Sequence, residues 1–197
     1  MNFLAHLHLA DNSKTSLGAN LAGDFAKGKI SDHPKPLQQG IWLHRQINSL
    51  TDSHELTKEL RAAFPAQLQR AAPILIDLAF DHMLAKYWDE YHNQSLSQFA
   101  DHAYTTLEAT PHLPQNLLDI IPAMRQQNWL VAYEAQDGLH QAINSVAKRV
   151  SKPDIFDGAV DTVIKMDIDI EIAFRTFYPQ LMAYSRIWTR QTPSDYL

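Results

Sequence analysis

Apolar residues fall at Ile74, Leu75, Leu78, Leu84, Ala85 and Trp88. This is the rhythm of one long helix, with Pro73 in its first turn or at a kink. No other feature constrains the fold as strongly, because much of the chain repeats it. Leu37, Ile41, Leu43, Ile47 and Leu50 give a second helix to about His54, and 56–64 extends or restarts it until Pro65 interrupts. Further helices are predicted over 97–107, 114–121, 127–135 and 138–150, and a last long stretch from Asp157 to about Arg190, kinked at Pro179. Near the start, Ser13 or Thr15 is placed to cap a helix to about Lys27, with Gly28 as its stop. The prolines in Asp32-His33-Pro34-Lys35-Pro36 make a loop. The first ten residues alternate weakly and read as an extended or short helical segment tucked against the body. Only 6 glycines occur, and the β-branched runs that mark strands are scarce. The expectation is an all-α, single-domain irregular helical bundle over 1–197.

A chain of 197 residues, 45% hydrophobic, is long enough for one real core and too short for two large domains. No window approaches the roughly 20 apolar residues of a membrane helix. The N-terminus lacks the basic-then-apolar pattern of a secretory signal, so a soluble cytoplasmic protein is expected. Cysteine is absent, which excludes disulfides, a thiol nucleophile and thiolate metal sites. Seventeen Lys and Arg against 22 Asp and Glu, a net charge of -5, argue against bulk nucleic-acid binding.

Ten histidines draw attention to metal or acid–base chemistry, since five of them (His6, His8, His33, His44 and His54) lie in the first 54 residues. Asp77 and Asp81 are four apart on the apolar helix and share a face, with His82 about 100° round. A buried carboxylate needs a cation, a hydrogen-bond network or a proton. The plain alternative makes Asp77 a helix-dipole partner and His82 an ordinary half-buried side chain. His44, Asn48 and Asp52 line one stripe of the preceding helix, with Arg45 beside it, and Asp24 lies four beyond Asn20. Such stripes are usually solvated faces, but this one is interrupted by Trp42, Leu43, Ile47 and Leu50. His6 and His8 point the same way only in an extended segment. Taken together, these carboxylates and imidazoles offer the oxygen and nitrogen ligands suited to Mn²⁺, Mg²⁺ or iron. A phosphate-cradling glycine loop, GxSxG, HExxH and a di-iron ExxH pair are all missing. Metal-assisted hydrolysis is what survives these exclusions.

Several segments resemble the bacterial acyl carrier protein phosphodiesterases. They are Asn2 through Ala10, Gly18-Ala19-Asn20-Leu21 with Asp24-Phe25, His44-Arg45, Leu50-Thr51-Asp52, Pro73 through Asp77 to Asp81-His82, Trp129-Leu130 and Phe177-Tyr178-Pro179. The resemblance implies hydrolysis of holo-acyl carrier protein to apo-carrier and 4'-phosphopantetheine. It also implies a divergent member of the HD-type metal-dependent phosphohydrolases, all-helical, with Mn²⁺ favoured and Mg²⁺, Fe²⁺ or Co²⁺ possible. Two departures stand out: the adjacent pair reads Asp81-His82, not His-Asp, and Asn48 stands where related phosphodiesterases carry an acid.

On that chemistry Asp24, His44, Asp77 and Asp81 are assigned as metal ligands, with His6 as a fifth. His82 or His8 would protonate the leaving oxygen, Arg45 would hold a non-bridging phosphate oxygen, and Asp52 would orient Arg45 or an imidazole. A carrier protein is strongly acidic, so a basic patch is expected, with Lys58, Arg61, Arg70, Arg186 and Arg190 as candidates. The alternatives are an HD-like phosphohydrolase of another small phosphodiester or nucleotide, and a non-catalytic helical module that binds a carrier protein.

Overall fold

The N-terminal segment is a helix, and the rest of the chain is wrapped around it. In the computed structural model, which describes residues 1–187, α1 (Phe3–Asn12) buries seven consecutive residues, Leu4 through Ala10. This explains why its weak alternation left both an extended and a short helical reading open. A helix covered on all sides has no polar face to set a period, and His6 and His8 are buried along with the leucines. Its neighbours are α2 (Leu17–Leu21), α3 (Lys35–Ser53), the 72–86 helix and the C-terminal helix.

Ser16 caps α2, its Oγ accepting from the Ala19 amide at 3.2 Å. Ser13 and Thr15, the predicted caps, bond each other at 2.9 Å and turn back onto the Ala10 carbonyl. The predicted helix to Lys27 is therefore short, and α2 passes at Leu21 into a 3-10 turn over Ala22–Asp24. From there α3 and α4 (Glu55–Ala63) follow the predicted bounds closely, and α5 (Ala72–Lys86) carries Pro73 in its first turn as expected.

The remaining helices are α6 (Trp88–Tyr91), α7 (Leu96–Ala109), α8 (Gln115–Gln126), α9 (Trp129–Ala132), α10 (Gln136–Ala147), α11 (Ala159–Lys165) and α12 (Asp167–Arg186). Only four residues of the predicted 127–135 helix are helical, because Asn128 takes a left-handed φ of 47°. The C-terminal stretch breaks at Met166, and α12 runs through Pro179. Side chains on both sides of it, Phe174, Phe177, Tyr178 and Leu181, are buried, and this packing holds the helix past the lost hydrogen bond. Strands are absent among the described residues, and no helix there is long and apolar enough to cross a membrane.

Candidate active site

Two glycines bring the site together. A Cβ at Gly40 of α3 would lie 2.4 Å from the Ala19 carbonyl carbon, so α2 and α3 touch backbone to backbone. A Cβ at Gly23 would lie 2.3 Å from His44 Cγ, so the 3-10 turn sits directly on the His44 ring. The turn thereby sets Asp24 Oδ1 3.3 Å from His44 Nε2. An open pocket of about 710 Å³ lies over this pair, lined also by Arg45, Asn48, Ser49, Asp52 and Lys58.

Behind the pair, α1 supplies His6, fully buried, whose ring stacks on His44 with centroids 3.8 Å apart and planes 18° from parallel. Asn48 bridges the two imidazoles, with Oδ1 3.0 Å from His6 Nε2 and Nδ2 3.0 Å from His44 Nε2. In this orientation of the amide, His6 donates to Asn48, and Asn48 donates into the Nε2 lone pair of His44. The Asp24 carboxylate approaches the same Nε2, so this edge of the ring is shared between an amide and a carboxylate. Burial, then His44 and the Met1 amino group, hold the His6 pKa well below the ordinary imidazole range, with Asn48 and Asn20 pulling the other way. His6 is thus neutral, the form that ligates metals. His6 Nδ1, His44 Nδ1 and both side-chain atoms of fully buried Asn20 lack hydrogen-bond partners. Of these atoms His6 Nδ1 and Asn20 Oδ1 can present lone pairs, and beside the anionic Asp24 carboxylate they are nitrogen and oxygen ligands of the kind a divalent ion takes. Among the described residues, no three His, Asp or Glu side chains already converge as a closed metal cluster.

The other assigned residues are engaged elsewhere. Asp81, fully buried, accepts from the Leu4 amide at 2.7 Å and the Ala5 amide at 3.1 Å, and so caps α1 from another helix. Asp77 accepts from the Met1 ammonium at 2.6 Å. None of these bonds joins Asp77 or Asp81 to the Asp24–His44 pair. The two predicted proton donors, His8 and His82, have partners of their own. His8 is buried with Nδ1 2.7 Å from the Tyr178 hydroxyl and Nε2 3.2 Å from the Tyr91 carbonyl. His82 is buried with Nδ1 2.6 Å from the Tyr133 carbonyl. Burial lowers both pKa values, that of His8 to about 4.

Arg45 lines the pocket, but its Nη2 donates to the Ala26 and Gly28 carbonyls, so it fixes the loop after the turn. Asp52 pairs with Arg61 and not with Arg45. Of the basic candidates, Lys58 lines the pocket, Arg61 is spent on Asp52, and Arg70 is exposed. Arg186 donates to Asn12 at the far end of α1, and Arg190 lies outside the described residues. The roles that sequence spacing understated are those of the two amides, Asn20 and Asn48. The signal was present in the four-residue spacing from His44 to Asn48 and from Asn20 to Asp24.

Comparison with known proteins finds relatives that match most of the chain. The chain is 34% identical over 185 residues to a Yersinia pestis protein named acyl carrier protein phosphodiesterase, covering 92% of this chain and 96% of that one. A Photorhabdus laumondii protein of the same name is 33% identical over 187 residues, covering 92% and 93%. An Escherichia coli protein, also of that name, is 33% identical over 187 residues, covering 93% and 96%. No solved structure gives a significant match. The family model described as acyl carrier protein phosphodiesterase matches residues 1–181, a span that takes in α1, the 3-10 turn and α3 together, and the chain belongs to that family.

Proposed function

We propose that this chain hydrolyses the phosphodiester joining 4'-phosphopantetheine to a serine of holo-acyl carrier protein, releasing apo-carrier and free 4'-phosphopantetheine, in the cytoplasm and with a divalent ion, Mn²⁺ foremost. The observation that carries the reading is the Asp24 carboxylate opposed to the His44 imidazole in an open pocket, in a chain whose relatives bear that name. Asp24 and His44 would hold the ion, with His6 and the Asn20 amide behind them. A bound divalent ion offsets the charge of a phosphodiester and lowers the pKa of water, the two obstacles to its hydrolysis.

The protein's own groups do the rest. Asn48 fixes both imidazole rings, and Gly23 leaves room for the His44 ring against the turn. Arg45 holds the loop that carries Asp24 close to α3. Lys58 places a cation on the pocket wall, which attracts an anionic ester even though the chain as a whole is acidic. His8 has both ring nitrogens on protein partners, and neither His8 nor His82 lines the pocket over Asp24 and His44, so this reading gives them no proton transfer.

Mass spectrometry of holo-carrier protein incubated with the chain tests this directly. With Mn²⁺ the carrier loses the mass of its prosthetic group, and with chelator it does not. Asp24→Ala and His44→Ala reduce the rate by at least about 100-fold, as expected for loss of a ligand. An unchanged carrier mass in Mn²⁺ refutes the assignment.

A further inference from the structure

A second cavity, of about 390 Å³, lies between the start of α1, α5 and the α9–α10 corner, away from the Asp24–His44 pair. It lies within the size range of small-molecule sites. Its walls are largely carbon: Phe3, Leu78, Trp129, Ala142, Val146 and Val150. All of these except Leu78 are only half-buried, so a cluster of aromatic and aliphatic surface faces the cavity unfilled. Gln127, Gln141 and Ser145 also line the cavity, and one further polar group, around Arg149, carries its only charge. The Tyr133 hydroxyl accepts from the Asn2 amide at 2.6 Å, and the charge of Arg149 bears on that hydroxyl. Arg149 itself lines the cavity and is exposed. Its Nε donates to the Ser145 carbonyl at 3.0 Å, and its two terminal amino groups bond no protein group among the described residues.

We propose that this cavity is a second binding site, for a medium-length fatty carboxylate with its carboxylate on Arg149 and its alkyl chain along Phe3, Trp129 and Val146. Three features select that ligand. The single cation favours one anionic end, and its free terminal amino groups suit two carboxylate oxygens. The carbon-lined stretch along Phe3, Trp129 and Val146 favours an alkyl chain laid against it. The volume sets the length. Scaled from a dry cavity of about 150 Å³ that holds one benzene, it takes on the order of ten to fifteen heavy atoms. Decanoate falls in that range. The site is separate from the proposed phosphodiesterase pocket, and binding is read without turnover, so failure of either reading leaves the other standing.

Isothermal titration with decanoate, and with decanol as the uncharged control, tests it on the full chain. Decanoate binds saturably at one site. Ala142→Phe, which fills the cavity from a half-buried position, abolishes that binding, and Val146→Phe serves the same purpose if the first variant melts early. Arg149→Gln weakens decanoate about tenfold and leaves decanol unchanged, as expected for loss of a charge-assisted hydrogen bond. That contrast separates a free carboxylate from an acyl thioester, which has no charge at that end. No saturable binding, binding that survives both cavity-filling variants, or decanoate affinity indifferent to Arg149→Gln overturns the proposal.

Discussion

Asp81 and His8 are both titratable groups in an apolar interior, and each is held by a different device. Burial lifts Asp81 to about 7, against the opposing pull of the Leu4 and Ala5 amides and the Met1 amino group. Asp81→Ala strands two buried N–H groups at the start of α1, at a cost of roughly 1–3 kcal/mol each. Urea denaturation should show that loss equally with Mn²⁺ and with chelator, whereas a metal-dependent difference would return Asp81 to the ligand set. For His8, burial sets the pKa near 4, with the bond to Tyr91 opposing. The unfolded chain protonates His8 at its ordinary 6.5, while the folded chain waits until about 4. Stability is therefore lost as pH falls from about 6.5 toward 4, because over that window the unfolded state binds the extra proton. His8→Phe should reduce the fall in melting temperature across that range without abolishing it, because burial also holds His6 and His82 low and Asp81 high, and parallel profiles for the two proteins would rule the mechanism out.

Among the elements, α3 and α4 were legible because one face of each is buried and the other wet, so the apolar spacing survives in sequence, whereas α5, buried at every residue over 78–85, was legible from its long apolar run behind Pro73. The centre of the fold was less legible, since α1 is buried on every side. Close approach between elements also leaves little trace in a pattern of apolar residues. Gly40→Ala forces α2 away from α3 and should cost about 1–3 kcal/mol, read by denaturant titration. Gly23→Ala sets its Cβ 2.3 Å from His44 Cγ and 2.5 Å from His44 Cβ, so the turn is pushed off α3 and Asp24 moves with it. The expected signature is a loss of carrier hydrolysis of tenfold or more. Unchanged hydrolysis in a variant that stays folded would mean that Gly23 serves packing alone.

At the scale of the molecule, the orphaned donors of the Asp24–His44 site predict coupling between metal and stability. Mn²⁺ should raise the melting temperature of the native chain and lose that effect in Asp24→Ala, since a ligand stabilises only the state that binds it. A Mn²⁺ shift that persists in Asp24→Ala would place the ion elsewhere. By itself the sequence determined the helical class, most helix positions, the family resemblance and the set of residues able to do chemistry, because these follow from spacing and residue type along one chain. It placed Asp24, His44 and His6 in that set, but also Asp77, Asp81, His8, His82 and Asp52. Only the tertiary structure decided which of them meet. Spacing within a helix fixes which face a side chain occupies, and nothing in it says what covers that face. Here the helix start at Leu4 and Ala5 claimed Asp81, two tyrosines claimed His8, and the glycine-lined turn was free to bring Asp24 to His44.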